Sequence, residues 1–284
     1  MKKIYAFLCL FVVLLHAYGN HNVSIDGFLS PRSIVATNTN VFVSNIGDTP
    51  NLTRNGSGFI SKLDSTGKII DFKFISNLNF PSGMAILDNI LYVADVNMIK
   101  GFNIVTKKQV LNLPISSTNT LNDVSVRDST HLFVADGKTG LILLIDLKKK
   151  SYYTFVEIDN MLGDLQHMDS DKKFLYVSTF DSKNIQGYIL RIDIETKEMS
   201  VLHKFFEKIC DFQLTKDGGI ITANMGQNNE VKFYKISRNA RIYSIDTEES
   251  IQDVANVAKI FIDKNSLWIT DTLDNKVNKI TPTR

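Results

Sequence analysis

Eight polar side chains stand at or just before short apolar stretches of this sequence: Arg32, Ser82, Asn122, Asp123, Asp164, His167, Asp211 and Asp253. Four of them are carboxylates. Gathered in one place, these would repel one another unless a cation, an arginine or a protonated partner stood among them, so a bound cation or cationic ligand is one expectation of the pattern. Taken singly, each could equally cap a turn or bond a neighbouring backbone amide. His131 and His203 have no second histidine or cysteine at metal-ligand spacing, which argues against zinc. Gly137-Lys138-Thr139 resembles the end of a phosphate loop, but Leu132 stands where that loop needs its first glycine, and the segment lies between strands rather than ahead of a helix. Neither a Gly-x-Ser-x-Gly elbow nor a His-Glu-x-x-His pair occurs.

The elements that would have to position these residues form a repeat. An apolar strand ending in a small or polar residue recurs at 41–45, 91–95, 132–136, 175–179, 220–224 and 267–271, with middle residues Val43, Val93, Val134, Val177, Thr222 and Ile269 spaced by 50, 41, 43, 45 and 47. That is the spacing of four-stranded propeller blades. A shorter strand lies about ten residues upstream, as at 83–86, 124–126 and 212–214. An alternating third strand follows, as at 59–64, 141–146, 188–193 and 231–236, and a fourth comes after a turn, as at 69–74 and 152–158. The pattern predicts an all-β, six-bladed propeller with antiparallel blades and minor helix. The sixth copy ends after its third strand at 276–281, so the extended segment 22–28 is expected to supply the missing outer strand and close the ring.

In a blade, the loop entering the inner strand and the loop between the second and third strands open on one face near the axis, where the eight polar residues should collect, with the long loop 47–58 able to lean over them. Asp95, Asp136 and Asp271 recur at equivalent places, so a structural duty at the turn after the second strand is expected for them. Trp268 is expected in the core.

Residues 1–19 read as a secretory signal: Lys2 and Lys3, the apolar run 4–15, then Ala17-Tyr18-Gly19. The domain is expected over 20–284, outside the cytoplasm, periplasmic or secreted. No stretch is long enough for a transmembrane span. Of 32 basic residues, losing Lys2 and Lys3 leaves 30 against 30 acidic, so neither nucleic acid nor an anionic membrane is an expected partner. Lys148 to Lys150 form a solvated turn. Cys210 would be the one remaining cysteine, a small buried apolar group. A monomer is expected, with a small molecule or an envelope protein as partner.

The segments Asn45-Ile46-Gly47 with 56–63, Pro81-Ser82-Gly83-Met84 with 91–95, and 121–124 with 133–136 resemble the propellers of the SMP-30/gluconolactonase/LRE-like superfamily and the related NHL repeats. The resemblance spans the whole mature chain as a repeat pattern. It implies a divalent cation, usually calcium, near the axis, with an acidic base opening a lactone. On this chain it implies Asn122 and Asp211 as metal ligands and Asp164 or Asp123 as the base. Arg32 stands near where the family carries its metal-binding glutamate, removing a negative ligand. A binding module of the cell envelope is therefore favoured, with a calcium-dependent lactonase or esterase as the alternative.

Overall fold

The computed structural model describes residues 20–47, 54–116, 118, 120–245, 254, 256–263 and 266–282. Strand β1 (Asn20–Ile25) comes first, and blade 1 follows as β2 (Pro31–Ala36), β3 (Asn40–Asn45), β4 (Gly58–Asp64) and β5 (Ile69–Leu78). Blade 2 is β6 (Pro81–Leu87), β7 (Ile90–Asp95), β8 (Met98–Asn103) and β9 (Gln109–Pro114). Blade 3 is β10 (Leu121–Asp128), β11 (His131–Asp136), β12 (Leu141–Asp146) and β13 (Ser151–Glu157). Blade 4 is β14 (Asp164–Ser170), β15 (Phe174–Asp181), β16 (Gln186–Asp193) and β17 (Met199–Phe205), and blade 5 is β18 (Lys208–Leu214), β19 (Ile220–Met225), β20 (Val231–Ile236) and β21 (Ile242–Ile245). Blade 6 has β22 (Val257–Ile262), β23 (Leu267–Asp271) and β24 (Lys276–Pro282), and β1 pairs antiparallel with β24 from Asn20 opposite Pro282 to Ile25 opposite Val277. The expected closure by the first strand is therefore observed. Among the described residues the one helical element is a 3-10 turn, Asn160–Leu162.

The second strands read as nearly continuous apolar runs because each blade buries both faces against its neighbours. Six apolar clusters fill the six seams between blades. At the closing seam, Phe28, Ile34, Val43 and Leu63 pack with Trp268 and Val277, and Ile25 of β1 borders them. Trp268 is fully buried there, its indole N–H donating to Asp263 Oδ2 at 3.2 Å. Burial of a Phe, Leu or Ile side chain stabilises by about 1.5–3 kcal/mol, so each seam contributes many times that, against the entropy of ordering the strands.

The repeated acidic residues behave largely as expected. Asp136 Oδ1 accepts from the amides of Lys138 and Thr139, and Asp271 Oδ1 from those of Leu273 and Asp274, so both close the turn after the second strand. Asp95 differs. Its turn to β8 is only two residues long, and its Oδ1 accepts instead from Asn79 and Phe80 on the way into its own blade, while Oδ2 pairs with Lys100 at 2.6 Å. Lys148 and Lys149 lie in a turn whose amides donate to Asp146.

One feature recurs in all six inner strands and prepares the axis. The pairing of each inner strand with its second strand slips by one residue at the same place: between Pro31 and Ile34, Pro81 and Met84, Leu121 and Asp123, Leu165 and His167, Ile209 and Asp211, and Val257 and Lys259. A bulge of this kind re-aims the side chain that follows it. The equivalent residues after the slip are Ser33, Gly83, Asp123, His167, Asp211 and Lys259, which form one ring around the axis.

Candidate functional site at the propeller axis

Two devices of the sequence fix the ring. Where the second strand offers a hydroxyl, it takes the ring amide displaced by the bulge: Ser33 N–H donates to Ser44 Oγ at 2.9 Å, His167 N–H to Ser178 Oγ at 3.2 Å, and Lys259 N–H to Thr270 Oγ1 at 2.9 Å. Where the ring residue is aspartate, its carboxylate stitches one blade to the next. Asp123 Oδ2 accepts from the Met168 amide at 3.0 Å, and Asp211 Oδ2 from the Ile260 amide at 2.8 Å. Gly83 is the ring residue of blade 2, and a Cβ there would fall 2.4 Å from the Cα of Asp123, so only glycine lets the two inner strands approach this closely.

Lys259 Nζ stands inside the ring. It donates to Asp123 Oδ2 at 2.8 Å and lies 3.4 Å from Asp211 Oδ1 and 3.4 Å from His167 Nδ1. His167 Nδ1 is itself 3.5 Å from Asp123 Oδ2 and 3.4 Å from Asp211 Oδ1. Both carboxylates are buried, whereas the Lys259 and His167 side chains keep 14% of their surface in contact with solvent, so the cluster opens toward water through the cationic and imidazole groups. Burial, the largest single influence, would push the Asp123 carboxyl up, but the Lys259 ammonium and His167 together outweigh it and hold Asp123 well below the usual carboxylate range. The same attraction overcomes the burial of Lys259 and holds its ammonium above its ordinary value. Asp169, two residues past His167, has no such contact. Burial pushes it up to about 6, although its Oδ2 accepts from the Leu214 amide and its Oδ1 from that of Ser170.

Of the residues singled out in the sequence, Asp123, His167 and Asp211 meet in this cluster. Arg32 stands one residue before the ring in blade 1. It is deeply enclosed but partly reached by solvent, and burial lowers its pKa while the nearby charge of Asp123 offsets part of that. Ser82 is buried in a seam, where its hydroxyl donates to the carbonyl of Leu121 at 2.6 Å. The amide of Asn122 donates to the Leu165 carbonyl at 3.2 Å across the seam between blades 3 and 4. Asp164 lies apart from the cluster, with 58% of its side chain exposed and Lys138 at 3.5 Å. Asp253 and residues 48–53 of the 47–58 loop lie outside the described residues. Cys210 is buried against the seam of blades 5 and 6, and burial raises its thiol to about 11.

Sequence reasoning missed Lys259, the group on which the cluster turns. The signal was present: the ring residues lie ten or eleven positions before the middle residue of each second strand, and counting back from Ile269 reaches Lys259 as counting back from Thr222 reaches Asp211. The donor set as it stands does not fit calcium. Lys259 occupies the space between the two carboxylates, and among the described residues no three His, Cys, Asp or Glu side chains gather at metal-binding distance.

No protein family's sequence profile matches this chain, and no curated protein matches it in sequence. Solved structures do match in shape. A catalytically inactive virginiamycin B lyase from Staphylococcus aureus, determined with quinupristin, aligns with 93% of this chain and 99% of its own at 14% identity and a TM-score of 0.59. A chain of a nidogen/laminin complex covers 93% of this chain and 90% of its own at 10% identity and a TM-score of 0.65. Hydrazine synthase from Kuenenia stuttgartiensis covers 91% of this chain and 78% of its own at 15% identity and a TM-score of 0.66. Such likeness establishes the propeller fold. A virginiamycin B lyase, a nidogen/laminin complex and a hydrazine synthase on one scaffold show why the fold alone does not assign an activity.

Proposed function

We propose that the protein is an exported, non-catalytic binding propeller that holds a small polar ligand at the axis, on the face where the inner strands begin. The observation that carries this reading is the Lys259 ammonium between Asp123 and Asp211. A general base must accept a proton near the working pH, and Asp123 is held ionised far below it by an adjacent cation. Asp164 is exposed and paired to a surface lysine, away from the cluster, so the carboxylate needed for lactone opening has no place beside a polarising group. What the cluster does offer is a fixed set of charges and hydrogen-bonding atoms, preorganised by backbone amides from adjacent blades, as a binding site requires.

Two measurements test the reading. Metal analysis of the purified protein, with a lactone and ester hydrolysis screen run with and without chelator, should give no bound divalent cation and no chelator-sensitive rate. A rate abolished by chelator would sink the binding reading in favour of the hydrolase. Side-chain NMR of isotope-labelled histidines should in turn find small polar molecules that shift His167 and leave His131 and His203 unmoved.

A further inference from the structure

Asn55-Gly56-Ser57 ends the loop that leads into β4, and Asn55 is the one asparagine of the chain that is followed by glycine. Its side chain is exposed, and its Oδ1 accepts twice from one residue: from the Ser57 amide N–H at 3.0 Å and from the Ser57 hydroxyl at 2.7 Å. Two donors on one carboxamide oxygen draw electron density from Cγ, and they stabilise the negative charge that the oxygen acquires when Cγ is attacked. The backbone nitrogen of Gly56 is the nucleophile that covalent connectivity supplies, since it closes a five-membered ring with Cγ. Gly56 has a φ of 72°, and a Cβ there would meet nothing within 4 Å, so no side chain and no neighbour shields that nitrogen. The segment is also held from outside. The Gly56 N–H donates to Asn79 Oδ1 at 3.2 Å, and Arg54 Nη2 donates to Asn97 Oδ1 in the turn between β7 and β8 at 2.8 Å.

From this arrangement we infer that Asn55 is a self-modification site, at which the chain converts its own asparagine to aspartate and isoaspartate with the help of Ser57. The Gly56 nitrogen gives its proton to hydroxide and bonds to Asn55 Cγ. The Cγ–Nδ2 bond then breaks, and Nδ2 takes a proton from water and leaves as ammonia, which restores the hydroxide. The cyclic imide takes up one water. Opening at one carbonyl gives aspartate, and opening at the other gives isoaspartate, in which the main chain runs through Cγ. Hydroxide and water are the only co-reactants. Either product places a new carboxylate beside Arg54, on the face where the inner strands begin. Aspartate keeps both Ser57 bonds and makes them charge-assisted, whereas isoaspartate lengthens the main chain and loses the turn. The inference goes beyond the axial-binding reading and does not depend on it.

Incubation of the intact protein at pH 8 and at pH 6, followed by peptide mapping in a mass spectrometer and an isoaspartate assay, tests it. The peptide holding Asn55 should convert at least about fivefold faster at the higher pH, because the attacking nitrogen must first lose its proton. Gly56→Ala should slow the conversion at least about tenfold by setting a Cβ beside that nitrogen. Ser57→Ala should slow it at least about threefold, while Ser57→Thr, which keeps the hydroxyl, retains most of the parent rate. Absence of isoaspartate at Asn55 in the folded protein, when the same protein in urea forms it, would mean that the loop protects the site and would overturn the inference. An equal or faster rate in Ser57→Ala would overturn it too.

Discussion

Lys259 sets the character of the site. Removing one partner of a buried ionic cluster leaves the other charges uncompensated, at a cost of about 3–5 kcal/mol. Lys259→Met should therefore lower the free energy of urea unfolding by that amount at pH 7, and an unchanged value would show that the ammonium is dispensable. Acid should act oppositely on the Asp123 contribution in the two proteins. In the parent, Asp123 is held below its unfolded value, so its contribution is complete above the unfolded pKa and is lost as the pH falls toward the folded one. In the variant, the paired carboxylates share a site without the ammonium and take up a proton more readily than in the unfolded chain, so stability should rise from pH 7 to pH 5 by more than it does in the parent. Asp169 has the opposite sign to Asp123 in the parent itself. Burial raises it to about 6, the folded state therefore binds more protons than the unfolded state between roughly pH 4 and 6, and stability falls as the pH climbs through that window. Asp169→Asn removes the buried charge but sets its NH2 against one of the two amide N–H donors, which is left unpaired at a cost of about 1–3 kcal/mol at every pH. The stability of the variant relative to the parent should therefore improve by up to about 3 kcal/mol between pH 4 and pH 7.5, and a difference independent of pH would show that Asp169 carries no buried charge.

At the scale of strands, the sequence was most legible where both faces of an element are buried. The second strands at 91–95, 132–136 and 175–179 announce themselves because Leu91, Val93, Leu132, Val134, Leu175 and Val177 pack into the seam with the preceding blade while Tyr92, Phe133 and Tyr176 between them pack into the seam with the next. The inner strands are harder to read, since a one-residue bulge breaks their alternation just before the residue that matters. Asp123 and Asp211 could be seen because aspartate is conspicuous before an apolar strand, but Lys259 reads as an ordinary surface lysine until the bulge is counted. The hydroxyls that hold the ring amides were similarly disguised. Ser44, Ser178 and Thr270 occupy a position where Ala94, Ala135 and Ala223 stand in the other blades, so the variation looks like tolerance for any small residue. It is instead a division of labour, with hydroxyls in the blades whose ring residue is not aspartate or glycine. Thr270→Val keeps the shape of the side chain and removes the acceptor for the Lys259 amide. It should cost about 1–2 kcal/mol in urea unfolding and shift the His167 side-chain resonances, and unmoved resonances would mean that Lys259 is positioned by its carboxylate partners alone.

For the whole molecule, closure by β1 is the feature on which the ring depends. Without it, β24 would present an unpaired edge, and Ile25 would leave the closing seam. Deleting residues 20–25 should lower the melting midpoint by at least about 5 °C and produce dimers or larger species in size-exclusion chromatography. A monomer with an unchanged midpoint would mean that the six seams alone hold the circle. The same arrangement bears on how the protein comes into being. A growing polypeptide emerges amino end first, so β1 is synthesised ahead of twenty-two other strands and waits without its mate until the ribosome has reached Pro282. A message or a translation cut short anywhere before that point yields sheets that can stack but not a finished circle. The join thus distinguishes full-length product from fragments, and leaves the fragments with a bare strand that quality-control proteases and chaperones can recognise.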